Sequence, residues 1–291
     1  MVQMLYNTCC LLGNYDWSNQ RLMKRLLIDL DGTLYRGDVP IPGARECIQA
    51  LQAEKVPFLL FTNCPLNSPE LLQEKLEKMG ISVLPEQIMS SGSVCAQYLG
   101  EQYPQKTVFA VGSDSFTELL VREGLHMCRD ANSHADVVAV GYAPSLDYEQ
   151  LCCAGHQLRN GAAFVATNRD ATIPRGSEIV PHTGAVVAYL EAASGKSPLV
   201  IGKPFSYMLT AALQHLQCKK EDCVVLGDGL DTDYAFAVHN GLDYRVILSG
   251  VTTGEMAIQR GVLPGKLYHT LSEAIASLHL EEGIEHENRH I

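Results

Sequence analysis

The sequence predicts an α/β protein: a Rossmann-like, doubly wound parallel-sheet core with a smaller α/β domain inserted into it. Two observations carry this. From residue 24 to about 280, short apolar runs alternate with capped stretches of helical spacing, the order that builds a parallel sheet with helices on its faces. Several of those runs also end directly in polar, carboxylate-bearing turns, as happens at the carboxyl edge of an open sheet, where sites form.

Residues 1–23 come first. Their short apolar stretch lacks a basic leader and is too short to span a membrane, so they read as an N-terminal extension. The first half of the core is placed at 24–84. Arg25 to Ile28 is a buried strand. "VPIPGARECIQALQAEK" sets Ala44, Cys47, Ile48 and Leu51 at helical spacing, and "VPFLLFTN" is a second strand. In "NSPELLQEKLEKMGI", Ser68 is the N-cap, Pro69 fills the first turn and Gly80 is the stop. The inserted domain is placed at 85–194, with strands in "TVFAVG", "ADVVAVGY" and "AAFVATN". The Gly/Ser/Pro cluster in "AASGKSPLVIGKP" marks the return to the core at 195–280. There "CVVLGDG" and "YRVILSG" are strands, with a helix from about Asp231 to Val238 between them. Residues 281–291 read as a polar tail.

Composition bounds the function classes. The chain has 291 residues, 46% hydrophobic and 19% charged, as soluble globular proteins do. A net charge of -11 without a Lys/Arg cluster argues against nucleic acid, and no stretch is apolar enough for a membrane span. An anionic substrate therefore needs its own local cation. The ten cysteines include no C-x-x-C pair. In a chain of this length they read as reduced thiols of a cytoplasmic protein rather than a disulfide framework.

The acidic turns ask for an explanation. Asp29 and Asp31 follow the run Leu26–Ile28, Asp228 and Asp233 follow "CVVLG", Thr62-Asn63 end the second strand, and Lys203 follows "LVIG". If the strands are neighbours, these residues converge. At a separation of ~4 Å and an effective dielectric of ~20, each pair of carboxylates repels by about 4 kcal/mol. A divalent cation with hard oxygen ligands relieves that repulsion. Mg²⁺ is the natural choice, because it pairs carboxylates with phosphate oxygens.

D-x-D-G-T after one strand, Thr after another, a later Lys and then G-D-x-x-x-x-D together resemble the haloacid dehalogenase superfamily. "FTNCPLNSPE", "ATNRDATIP", "TGAVVAYLEAASGK" and "VIGKPFSYML" look like its NagD-type, p-nitrophenylphosphatase-like branch, whose cap lies between the second and third motifs. The resemblance covers residue 24 to about 275. It implies a Mg²⁺-dependent phosphatase for small phosphate monoesters, of the nucleoside monophosphate or sugar phosphate class. In that reading Asp29 is the nucleophile and forms an aspartyl-phosphate. Asp31 is the acid and then the base, and its carbonyl also reaches the metal. Asp228 ligates the metal, and Asp233 supports the metal shell. Thr62 and the amide of Asn63 donate to the phosphoryl oxygens, and Lys203 supplies positive charge there. Asn168 and Asp170 are cap candidates, either for contact with the leaving group or for cap structure. The resemblance also implies a homodimer formed through the cap.

Two alternatives stay open. One is a phosphotransferase or phosphoglycolate-type enzyme on the same scaffold. The other is a non-enzymatic phosphate-binding or signalling protein, against which the presence of Asp31 argues. His156, His182 and His215 lack metal-ligand spacing and read as structural or surface residues. Cys64, directly after the phosphate loop, is a candidate oxidation-sensitive neighbour of the site. Cys64-Pro65 and His182 depart from the family pattern, which often has small or polar residues at the first place and glycine at the second.

Overall fold

Alternate residues of the central strand face opposite layers of the protein, and both layers are apolar. Leu26 and Ile28 pack with Leu60, Val224 and Leu226 on one face; Leu27 packs with Leu59, Phe61 and Val225 on the other. A strand buried on both faces is what a helix-covered parallel sheet requires. The computed structural model describes residues 24–128, 133–175 and 178–288. The expected N-terminal extension, 1–23, lies outside the described residues.

In chain order the strands are β1 (Arg25–Asp29), β2 (Tyr35–Arg36), β3 (Val39–Pro40), β4 (Phe58–Thr62), β5 (Ile88–Ser90), β6 (Thr107–Val111), β7 (His126–Met127) and β8 (Val137–Val140). There follow β9 (Ala163–Ala166), β10 (Thr172–Arg175), β11 (Glu178–Pro181), β12 (Leu199–Val200), β13 (Cys223–Gly227), β14 (Asp243–Ile247) and β15 (Leu267–Tyr268). The larger sheet is six-stranded, in the order β15-β14-β13-β1-β4-β5, and every pairing in it is parallel. The smaller sheet is five-stranded and parallel, in the order β12-β9-β8-β6-β7. β2–β3 and β10–β11 are antiparallel hairpins.

The helix Ala44–Ala53 buries Ala44, Cys47, Ile48 and Leu51, the positions set by its sequence spacing. The helix Pro69–Lys78 starts at the expected N-cap, where the Ser68 hydroxyl accepts the Leu71 N–H. Both cover the first face of the large sheet, together with the helix that begins at Leu271. The helices Ser91–Gln102, Tyr207–Leu216 and Ala235–Asn240 cover the second face. That second layer also takes in Val108, Phe116, Val137, Val165 and Ile201 of the smaller unit, so the two sheets share one apolar cluster.

Strand pairing moves two expected borders, and a helix moves a third. β5 pairs with β4, so the large sheet reaches past residue 84. β12 lies beyond 194 yet pairs with β9 of the smaller sheet. The helix Leu271–Asn288 runs through most of the expected polar tail, because that stretch contains one glycine and no proline to stop it. Among the described residues, no helix is long and apolar enough to cross a membrane.

Candidate active site

β13, β1 and β4 are adjacent and parallel, so their carboxyl ends lie side by side. That brings Asp29, Thr62 and the Gly227–Asp233 turn together, as the sequence suggested. Lys203 arrives differently. It leaves β12 of the smaller sheet and reaches the same place across the junction of the two sheets.

The Lys203 Nζ lies 2.6 Å from Asp29 Oδ1 and 2.6 Å from Asp233 Oδ1. It also stands 4.2 Å from the centroid of the Phe61 ring, whose face is attractive to a cation. All four polar residues are buried: Lys203 is 2% exposed, Asp29 7%, Asp228 5% and Asp233 3%. One carboxylate oxygen from each of Asp29, Asp228 and Asp233 falls within a mutual 4.8 Å. Three carboxylates against one ammonium leave two negative charges in a desolvated space. Burial first, and then Asp233, raise the Asp29 carboxyl well above its ordinary range, against the pull of Lys203. Burial and Asp233 push Asp228 up to about 6. Burial alone would lower the Lys203 pKa, but Asp233 and Asp29 outweigh it and hold the ammonium charged. A doubly charged cation with oxygen preference fits this set in both charge and donor type.

The glycines make room for the acids. A side-chain carbon at Gly32 or Gly250 would fall 2.3 Å or 1.6 Å from Asp228 Oδ2, so the carboxylate occupies the space between them. Asp233 sits against Gly227 and Gly229 in the same way. Asp228 Oδ2 accepts the Val251 N–H at 2.9 Å, and the Asp228 carbonyl accepts the Thr252 hydroxyl. Asp233 Oδ2 accepts the Gly229 N–H at 3.0 Å, which leaves both its oxygens with partners. A positioning role suits such a residue better than direct ligation.

Asp31 stands apart. Its side chain is exposed and does not join the three-carboxylate cluster. The Tyr35 hydroxyl donates to its Oδ2 at 3.4 Å. Crowding by surrounding protein raises its pKa, while Lys75, Tyr35 and Lys203 pull the other way. An acid at the rim with a raised pKa is suited to carrying a proton.

Thr62 Oγ1 accepts the Cys64 N–H at 3.1 Å, which turns the hydroxyl proton toward other acceptors. The Asn63 side chain is engaged by protein. Its Oδ1 accepts the Lys203 N–H at 2.7 Å, and its Nδ2 donates to the Lys203 carbonyl at 3.0 Å and to both Asp170 oxygens at 3.2 Å. Among the described residues its backbone N–H makes no hydrogen bond. Asn168 is wholly buried and donates to the Asn63 carbonyl at 2.6 Å, while its Oδ1 accepts the Asp170 N–H. The two cap candidates therefore brace the turn after β4. Cys64 is half-buried, and burial pushes its thiol up to about 11, far from a reactive thiolate.

A profile of the haloacid dehalogenase-like hydrolases matches residues 26–126, and a second, for HAD-hydrolase-like proteins, matches 200–274. The acid sugar phosphatase of Staphylococcus aureus is 36% identical over 255 residues, covering 88% of this chain and 98% of that protein. The chain belongs to the haloacid dehalogenase-like hydrolases. It is a phosphatase of that type and is NagD-like: NagD of E. coli K-12 superposes with a TM-score of 0.79 at 29% identity, covering 86% of this chain and 97% of NagD. A glycerol phosphate phosphatase of Mycobacterium tuberculosis, solved in complex with calcium, gives a TM-score of 0.79 at 29% identity, covering 88% of this chain and 76% of that one.

Several residues of this hydrolase's site escape a reading of side-chain types. Ser249 to Thr252, which seat Asp228, lie just past β14 as Asp31 lies just past β1. The rule that polar residues just past an apolar strand mark the site would have found them. Phe61 under Lys203 and Tyr35 on Asp31 carry no such signal.

Proposed function

We propose that this phosphatase hydrolyses small sugar-type phosphate monoesters through an aspartyl-phosphate on Asp29, and that it requires Mg²⁺. The observation that carries the reading is the single ammonium of Lys203 shared by Asp29 and Asp233, with Asp228 beside them. The sugar phosphate class rests on the relatives' substrates. Asp29 and Asp228, with the Asp31 carbonyl, are the groups that would hold the metal. When bound, it neutralises the surplus negative charge and admits the ester's phosphoryl oxygens.

Among the described residues Asp29 Oδ2 accepts no hydrogen bond, since Lys203 engages Oδ1. That free oxygen attacks phosphorus, and the phosphorus–ester oxygen bond breaks. Asp31, protonated, gives its proton to the departing oxygen. In the second half Asp31, now a carboxylate, takes a proton from water as the water oxygen attacks phosphorus. Inorganic phosphate leaves and Asp29 is restored. Lys203, the Thr62 hydroxyl and the Asn63 backbone N–H face the transferring group and stabilise the charge on its oxygens. Association through the smaller domain fits the exposed Tyr148, Ile179 and Tyr189, and sedimentation of Tyr148→Glu against wild type tests it.

The deciding experiment is phosphate release from a panel of sugar, polyol and nucleoside phosphates, with and without EDTA. Turnover of sugar phosphates that EDTA abolishes supports the reading. Turnover unaffected by EDTA sinks the metal requirement, and product carried onto an added alcohol acceptor without phosphate release identifies a transferase.

A further inference from the structure

The Arg36 guanidinium, on the β2–β3 hairpin, donates to the carbonyls of Ser249 and Gly250, the latter at 2.7 Å. The Gly250 carbonyl and the Val251 N–H belong to one peptide unit, and that N–H donates to Asp228 Oδ2 at 2.9 Å. A trans peptide is planar, with its C=O and N–H pointing opposite ways. A cation held at the oxygen therefore aims the N–H at Asp228 and strengthens it as a donor, because hydrogen bonds in series polarise one another. Glycine at position 250 makes the alternative cheap: with no Cβ, the unit could rotate and turn its carbonyl toward the carboxylate. Arg36 on that carbonyl opposes the rotation.

The hairpin that carries Arg36 is itself tied to the nucleophile's loop. The Gly32 N–H donates to the Tyr35 carbonyl at 2.8 Å, and the Tyr35 hydroxyl meets Asp31. From the other side, Ser249 Oγ donates to the Gly32 carbonyl at 2.7 Å. Arg36 thus closes a ring that joins the turn after β1 to the turn after β14, with Asp228 between them.

We propose that Arg36 is a positioning residue for Asp228, acting through the Gly250–Val251 peptide to set the carboxylate for metal binding. This rests on the metal reading given above. The test follows Mg²⁺ binding by the rise in melting temperature as Mg²⁺ is titrated, in wild type, Arg36→Ala and Arg36→Lys. Arg36→Ala is expected to need about tenfold more Mg²⁺ for half of its stabilisation, the scale of losing a group that orients a ligand. Arg36→Lys, which keeps the charge on a differently shaped head, should fall between. Millimolar guanidinium should move Arg36→Ala back toward wild type and leave wild type unmoved. Equal Mg²⁺ midpoints in all three proteins overturn the proposal. A wild type that gains no stability from Mg²⁺ overturns the metal reading, and this proposal with it. Arg36 is exposed on its hairpin, so the variants are expected to fold, and their metal-free melting checks that directly.

Discussion

Gly250 and Asp228 occupy one space: a methyl group on Gly250 would lie 1.6 Å from Asp228 Oδ2. The carboxylate cannot keep its place if that glycine gains a side chain. Gly250→Ala should therefore move Asp228 off its Val251 N–H and weaken metal activation about 10–100-fold, as loss of a ligand's support does. The Mg²⁺ dependence of p-nitrophenyl phosphate turnover reads this. A wild-type dependence in the variant would mean that the carboxylate has room elsewhere.

Asp29→Asn should separate activity from stability. Loss of the nucleophile is expected to lower turnover by about 10⁴-fold or more. The same change removes one of three carboxylates that crowd a single ammonium, so the metal-free variant should melt at a higher temperature than metal-free wild type. Strained sites are often less stable than their inactive variants. Turnover and thermal melting of the same preparation test both halves, and a variant that melts lower would show that the Lys203 pair outweighs the repulsion.

Asn63 is the joint between the turn after β4 and the smaller domain, through Lys203 on one side and Asp170 on the other. Asn63→Ala leaves the buried Lys203 N–H without its acceptor, which costs about 1–3 kcal/mol. The Lys203 ammonium then loses its fixed approach to Asp29. The variant should unfold at lower denaturant and lose turnover together, whereas Asp170→Ala, which keeps the Lys203 ties, should do less of both. Equal losses in the two variants would place the weight on Asp170 instead.

How much of this was legible beforehand follows from where the signals lie. Asp29, Thr62 and Asp228 each stand just past an apolar run, and neighbouring parallel strands did bring those ends together. Lys203 obeys the same local rule, yet its strand pairs with β9. Two residues of strand cannot say which sheet they will join, since that is decided by partners far away in sequence. β5 is three residues long, too short to show a period. The Gly250 carbonyl and the Val251 N–H are main-chain groups that any residue owns, so no side-chain type announces them. Arg36 carries no signal for the same reason: its partners are carbonyls. The spacing rule that reads His182 as structural or surface says nothing about burial.

His182 supplies the pH dependence. It is 2% exposed and stacks on Tyr142 with ring centroids 4.6 Å apart. Among the described residues neither ring nitrogen has a hydrogen-bond partner, and the Asp170 backbone favours the proton too weakly to offset burial. Burial lowers its pKa from 6.5 to about 4. The folded protein therefore binds fewer protons than the unfolded chain between those values, and stability rises with pH there. Going down from pH 7, His182 costs the fold nothing until about 6.5, then about 2 kcal/mol by pH 5. His182→Gln, which cannot titrate, should narrow the gap between the unfolding free energies from denaturant titration at pH 7 and pH 5 by that amount. An unchanged gap would mean that the ring finds a partner on protonation, and that other groups set the acid limit of the fold.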